Sequence, residues 1–220
     1  KWWDFGRKQG GLYLFTPTIT ATNSYWYKGT ADALYQNINF LKSAHEPYVV
    51  IASGDGVYKL DYNKVLEEHI ATGADITVVC KDIPAGDDDI NRFGVVKLGS
   101  DNRIVSFEEK PLVAETNTAS IGVYVVRRRQ LIELLEACAA EGRSDFVNDI
   151  LVRYKNVKKI YAYKLDSYWR NIGTVESYFK TNMDFLKKDI RDYFFRQHPD
   201  VYSKVEDLPP AKYNGDAAVS

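Results

Sequence analysis

The 220 residues carry 29 Lys and Arg against 30 Asp and Glu, a formal net charge of -1, with 45% hydrophobic and 27% charged residues. This composition suits a globular chain with a sizeable core, long enough for one large domain or a domain plus an extension. A neutral balance gives no electrostatic case for nucleic acid or an acidic membrane surface, and no stretch approaches the ~20 apolar residues of a membrane span.

Smaller features narrow the field. The dense basic run Arg127-Arg128-Arg129 leads into an apolar helical pattern and reads as a solvated helix start. Cys80 and Cys138 stand in no metal or redox spacing, so both read as buried thiols in a reducing compartment, which implies a cytoplasmic location. His45, His69 and His198 share no ligand spacing, and zinc is not expected. No signal peptide is visible. The chain opens on Lys1-Trp2-Trp3-Asp4 without an initiator Met, so the expectation is that the true N-terminus is missing.

In chain order, Leu12 to Phe15 is a short apolar run closed by Thr16-Pro17, a plausible strand. Thr30 offers a cap for a helix with Leu34, Ile38 and Leu41 at helical spacing. Tyr48 to Ala52 is β-branched between Pro47 and a Gly-Asp turn and reads as a buried strand. Asp61 can cap a helix through Val65, Leu66 and Ile70 that ends at Gly73, and Ile76 to Cys80 is the next strand. Strand, helix, strand in that order argues an α/β domain with a mixed, largely parallel central sheet.

Ala85 to Asp89 is an acidic surface loop. Three strand-like runs follow, Gly94 to Leu98, Ile104 to Phe107 and Ile121 to Val126, the first two joined by a Ser100-Asp101-Asn102 hairpin turn. Leu131, Leu134, Leu135 and Cys138 share one face of a long helix ending at Gly142. Lys159 to Leu165 reads as a strand and Val175 to Phe185 as a helix. Beyond Asp189 the chain turns richer in Pro and aromatics, which sets a domain over residues 1–190 and a linker over 191–220.

Four constellations could carry chemistry. In Tyr25-Trp26-Tyr27-Lys28-Gly29-Thr30, a helix start offers backbone amides and a hydroxyl to an anion, and the aromatics could stack on a base; on spacing alone a capped helix with buried aromatics is the favoured reading. In Ser53-Gly54-Asp55-Gly56, a carboxylate in a Gly-flanked turn at a strand's C-terminal end could hold Mg²⁺, or could be an ordinary turn Asp. In Phe107-Glu108-Glu109-Lys110-Pro111, Glu109 and Lys110 suit a hexose-phosphate pocket if the pleat breaks between them, and otherwise form a plain charged strand end. Tyr168-Trp169-Arg170-Asn171-Ile172-Gly173-Thr174 reads by itself as a helix entry.

Taken in order, these segments with Tyr58 to Tyr62, Arg92-Phe-Gly-Val95 and Ser120-Ile-Gly-Val-Tyr124 resemble the ADP-glucose pyrophosphorylases, also called glucose-1-phosphate adenylyltransferases. The resemblance covers nearly the whole chain. It implies a GT-A-like, Rossmann-type nucleotidyltransferase domain followed by a left-handed β-helix, with Pro209 to Ser220 as its lead-in. It implies ATP and glucose 1-phosphate as substrates and ADP-glucose and pyrophosphate as products, for glycogen synthesis. By position, Asp55 matches the family's catalytic, metal-binding aspartate; Glu109, Lys110, Gly94, Ser120 and Trp169 match the sugar-phosphate pocket; Trp26, Tyr27, Gly29 and Thr30 match the nucleotide side.

The chain also departs from the family. The Gly-rich loop with its catalytic Arg and Lys is not found in these residues, and the second metal-binding aspartate is replaced by Asn171. Gly56 stands where catalytic subunits carry His, and the His-Asp-Phe-Gly motif reads Ser144-Asp145-Phe146-Val147. Losing one of two carboxylates removes a full charge at ligand distance, so Mg²⁺ binding is expected to be weakened or absent. These changes resemble the GlgD-type regulatory subunit of Firmicutes-like enzymes, a poorly active homologue that pairs with a catalytic subunit in a hetero-oligomer. A fully catalytic sugar-1-phosphate nucleotidyltransferase and an interaction subunit that binds no ligand remain as alternatives.

Overall fold

A computed structural model describes residues 11–17, 26–84 and 90–201. The acidic loop 85–89 and the segment 209–220 lie outside the described residues. The described residues form eight strands and six α-helices: α1 (Thr30–Gln36), α2 (Ile38–Ser43), β1 (Tyr48–Ala52), β2 (Gly56–Tyr58), α3 (Tyr62–Thr72), β3 (Ile76–Asp82), β4 (Gly94–Leu98), β5 (Ile104–Glu109), β6 (Thr118–Arg127), α4 (Arg128–Ala140), β7 (Ile160–Lys164), β8 (Trp169–Asn171), α5 (Val175–Asp184) and α6 (Lys188–Arg196). A 3₁₀ turn at Ile90–Arg92 and a π-helical turn at Val147–Val152 complete the set.

The main sheet runs β5-β4-β6-β3-β7, with β1 also paired to β6, and β2 and β8 form a separate two-stranded sheet. The α/β class and the mixed sheet agree with the sequence pattern, but the expected predominance of parallel pairs does not. Among the described residues only β3 and β7 pair in parallel. The strands β1 and β3 do run the same way, as their α3 crossover requires. The long β6 lies between them, antiparallel to both.

β3 and β6 are buried on both faces, and alternate residues serve two cores. Ile76, Val78, Cys80, Tyr124 and Val126 pack beneath α1 and α4 with Leu131, Leu135 and Cys138. Val79, Ile121, Val123 and Val125 pack on the other face with Val65 of α3, Leu165 and Trp169. Burial of both faces explains why these strands read as continuous apolar runs. The local signals held for α3, which Asp61 caps by accepting from Asn63 N at 3.0 Å and which ends on left-handed Gly73. Cys80 and Cys138 are buried free thiols.

Four local expectations are corrected. Leu12 to Phe15 forms no strand; Tyr13 and Phe15 instead rest on Phe40 at ring distances of 5.0 and 5.1 Å. The helix from Thr30 breaks at Asn37, whose Nδ2 donates to Ala33 O at 2.8 Å and to the Tyr27 hydroxyl at 3.1 Å. β1 is not fully buried, because β6 pairs with it on one side only, and Val50 stays 44% exposed. The basic run is not merely solvated: Arg128 donates to Leu41 O and Glu46 O, tying α4 to the end of α2. α6 runs across residue 190 and is docked by buried Phe194 and by Lys59 Nζ donating to Tyr193 O and Gln197 O.

Candidate functional site

The site arises where β6 changes neighbours. Its C-terminal half, Val123 to Arg127, pairs with β1, and on the same edge Ala119 pairs with β4. Ser120 and Ile121 lie in the gap, and Gly122 turns the chain there with φ 74°. A side chain at 122 would be strained by that φ, and its Cβ would stand 2.8 Å from Ser53 Cβ, so only glycine lets the two segments close. Ser53 N donates to Gly122 O at 2.8 Å, which fixes the Ser53-Gly54-Asp55 turn at the C-terminal end of β1. This is the strand end at which open α/β sheets hold ligands.

The cavity there has a volume of about 120 Å³. Asp55, Gly94, Glu109, Ser120, Trp169 and Asn171 all line it, so six of the residues matched to sugar and metal roles converge on one place. Gly94 approaches so closely that a Cβ would meet the Phe107 ring at 2.7 Å and Glu109 Oε2 at 3.0 Å. Trp169 packs edge-on against Phe93 at 5.2 Å, and its buried indole N–H has no hydrogen-bond partner among the described residues. The sequence reading left Arg92, Phe93, Gly122, Tyr124 and Val147 without a role, although they also line the cavity. All five sit inside motifs singled out above, but motif membership does not reveal which way a side chain points.

Asp55 and Asn171 are in direct contact. The antiparallel pair β2–β8 sets Gly56 opposite Asn171, and Ile172 N donates to Asp55 O at 2.8 Å. Asn171 Nδ2 then donates to Asp55 Oδ2 at 2.9 Å, and Asn171 Oδ1 accepts from Gly173 N at 2.9 Å. One amide orientation alone serves both partners, since the carboxylate needs a donor and the Gly173 N–H an acceptor. The other Asp55 oxygen accepts from the Ser53 hydroxyl. Burial pushes the Asp55 carboxyl up, but the Ser53 and Asn171 donors, with the Lys110 charge, bring it to a net position below the usual carboxylate range.

Glu109 behaves oppositely. Burial pushes its carboxyl up, and Asp145 adds to this while the Lys110 charge opposes it. The pleat does break after it: β5 ends at Glu109, and Lys110 adopts a left-handed φ of 48° while its N–H donates to Phe93 O at 3.1 Å. The break brings Lys110 Nζ to 3.6 Å from Glu109 Oε1, with the lysine side chain 67% exposed. Lys110 is therefore beside the cavity and not part of its wall. Ser120 Oγ lies 3.4 Å from the Tyr124 hydroxyl, which burial pushes up to about 12.

The four residues matched to the nucleotide side do not line this cavity. Trp26 is 76% exposed. Gly29 lies against Ser144, where a Cβ would meet the carbonyl oxygen at 2.5 Å. The amides of Ala31 and Asp32 at the α1 N-terminus donate to Ser144 O at 2.8 and 3.1 Å, and Thr30 Oγ1 accepts from Phe146 N at 3.0 Å. The expectation of free amides and a free hydroxyl at this helix start is thus corrected. They anchor the 144–146 segment, which carries Val147 to the cavity wall.

Residues 6–188 match the family model described as nucleotidyl transferase, and the chain belongs to that family. Among curated proteins it is similar to glucose-1-phosphate adenylyltransferases: 38% identical over 219 residues to that of Thermosipho melanesiensis, covering 99% of this chain and 53% of the relative. The Bacillus subtilis protein of the same name is 37% identical over 220 residues, 99% of this chain and 57% of the relative. The one from Lachnospira eligens is 36% identical over 220 residues, 99% and 51% respectively. The chain therefore spans about half the length of the relatives it matches. No helix among the described residues is long and apolar enough to cross a membrane.

Mg²⁺ would need oxygen ligands at this place. Asp55 offers a carboxylate, but residue 171 turns an N–H toward it and commits its oxygen to Gly173. No group of three His, Cys, Asp or Glu side chains among the described residues could hold a metal ion. The donor set as arranged does not fit a cation shared by residues 55 and 171.

Proposed function

We propose that this chain is the nucleotidyltransferase part of a glucose-1-phosphate adenylyltransferase subunit that retains a sugar-phosphate pocket but turns over poorly alone. In this reading it is the regulatory subunit, cytoplasmic, paired with a catalytic homologous subunit in a hetero-oligomer of glycogen synthesis. ATP and ADP-glucose are then ligands of the assembly, and Mg²⁺ binding by this chain is weakened or absent. The single observation that carries the reading is the Asn171 amide donating to Asp55 at 2.9 Å, in the position where two carboxylates would otherwise face each other. Supporting it are the retained pocket residues and the similarity to proteins of that name.

In the pocket, Glu109 accepts hydrogen bonds from sugar hydroxyls, and Ser120, beside Tyr124, supplies a hydroxyl that donates or accepts. Trp169 and Phe93 give the ring an apolar wall, and the absent side chain at Gly94 leaves it room. Asp55 already holds two donors, and residue 171 turns an N–H toward it where a bridging cation would need a second oxygen. Binding without efficient adenylyl transfer follows from that division.

The test is ADP-glucose formation by the full-length protein, alone and mixed with its catalytic homologue. The expected result is little activity alone and a mixture more active than the catalytic subunit by itself. Turnover alone that equals the mixture would overturn the regulatory reading.

A further inference from the structure

We propose that Thr30 is a positioning residue of the sugar pocket: its hydroxyl holds Phe146 and, through Phe146, fixes the part of the cavity wall built by Tyr124 and Val147. The inference rests on the reading of that cavity as a site for a phosphorylated hexose. Thr30 itself is not among the residues that line the cavity. Its influence runs through one hydrogen bond, in which Thr30 Oγ1 accepts from Phe146 N at 3.0 Å, across 116 residues of sequence.

The segment 144–147 bears on the cavity through each of its last three residues. Val147 lines it. The buried Phe146 ring packs against Tyr124 at 5.2 Å, and Tyr124 lines the cavity with its hydroxyl 3.4 Å from Ser120 Oγ. Burial raises both the Glu109 carboxyl and the Tyr124 hydroxyl, and the Asp145 charge adds to each effect. A displacement of this segment therefore reaches Glu109, Ser120 and Tyr124 together.

Two kinds of contact tie the segment down. Ser144 N and Asp145 N both donate to Asp149 Oδ2, at 3.1 and 2.9 Å, but Asp149 lies just downstream and moves with the same turn. From across the domain, Ser144 O accepts from Ala31 N and Asp32 N, and Gly29 permits the approach, since a Cβ there would stand 2.5 Å from that oxygen. The two amides are main-chain groups, which most residues at 31 and 32 would supply. Phe146 N is the amide that Asp149 does not take, and its partner is a side chain. A valine at position 30 keeps the shape of threonine but has no oxygen, so that N–H would lose its acceptor. A wall whose supporting hydrogen bond is removed keeps its residues and loses their fixed placement.

The experiment compares full-length parent, Thr30→Val, Thr30→Ser and Asn37→Ala. One measurement is calorimetric titration with glucose 1-phosphate. The other is fluorine NMR of fluorotyrosine-labelled protein, with the Tyr124 signal assigned by its loss in Tyr124→Phe. Thr30 is exposed and valine matches its shape, so the variants at 30 should melt near the parent. Asn37→Ala loosens α1 at its other end, where Asn37 Nδ2 donates to Ala33 O, and leaves the contacts to 144–146 in place. The expected result is glucose 1-phosphate affinity about three- to tenfold weaker in Thr30→Val, close to the parent in Thr30→Ser and unchanged in Asn37→Ala. The Tyr124 signal should be displaced in Thr30→Val alone. Thr30→Val binding as tightly as the parent, Thr30→Ser failing to recover, or Asn37→Ala weakening binding as much overturns the assignment. If the parent binds no glucose 1-phosphate, the hexose reading falls and the Tyr124 signal decides the rest. Displaced in Thr30→Val and restored in Thr30→Ser, it upholds Thr30 as the residue that sets the wall; unmoved, it overturns that too.

Discussion

Asn171→Asp is the substitution that most directly probes the site. In the parent, Asn171 Nδ2 and Asp55 Oδ2 lie 2.9 Å apart, and the amide is one of two donors holding the carboxylate. Replacing the amide with a carboxylate removes a charge-assisted hydrogen bond, a loss of about 1.5–3 kcal/mol in a favourable setting. It also places two like charges together, a repulsion of about 1 kcal/mol at ~4 Å in water and about 4 kcal/mol at an effective dielectric of 20. Asp55 is exposed to solvent, which favours the weaker limits, so the net destabilisation should be roughly 1–2 kcal/mol. A divalent cation bridging the pair would reverse that sign. The assay is thermal unfolding of parent, Asn171→Asp, Asp55→Asn and the double exchange, each in EDTA and in Mg²⁺. Asn171→Asp should melt lower in EDTA and regain stability in Mg²⁺. The double exchange, with one carboxylate and one amide again, should recover most of the loss without metal. If the two substitutions are additive and Mg²⁺ has no effect on Asn171→Asp, the two side chains do not share a site and the reasoning fails.

Three further outcomes are expected. Burial, aided by Asp145, raises the Glu109 carboxyl, so its favourable contribution is present below the ordinary value of 4.5 and is lost as pH rises through the folded value; Glu109→Gln should melt higher at pH 7 while binding glucose 1-phosphate more weakly, and a lower melting temperature at pH 7 would contradict this. His69 is lowered by burial, with the Arg127 charge adding and Asp75 opposing, so its contribution is full above about pH 6.5 and is lost as pH falls from there through the folded value; replacing it by Gln, which can still meet Thr77, should flatten the stability profile across that window, and an unchanged profile would exclude His69 as its source. Lys59→Met should release the last carbonyls of α6 at a cost of roughly 2–4 kcal/mol and speed amide exchange in Lys188–Arg196, and unchanged exchange there would show that α6 docks without it.

The sequence by itself determined the elements whose signals are local. The Asp61 cap, the Gly73 stop and the apolar runs of β3 and β6 follow from short-range sterics, hydrogen bonding and two-sided burial, and all are found as read. Motif order was likewise enough to gather Asp55, Gly94, Glu109, Ser120, Trp169 and Asn171, which share one cavity. Tertiary structure decided what lies between distant segments. No periodicity announces that β6 inserts antiparallel between β1 and β3, since strand pairing is chosen by the whole sheet. Nor does it announce that Asn171 donates to a carboxylate 116 residues earlier, a contact that the β2–β8 pair creates. The same holds for Thr30 and Phe146, where a helix start that locally resembles an anion site is closed by a segment from across the domain. At Lys110 and Arg92 the decision is one of direction. A left-handed residue sets one cation beside the cavity and a 3₁₀ turn brings the other to its wall, because backbone dihedrals imposed by distant packing set where a side chain points.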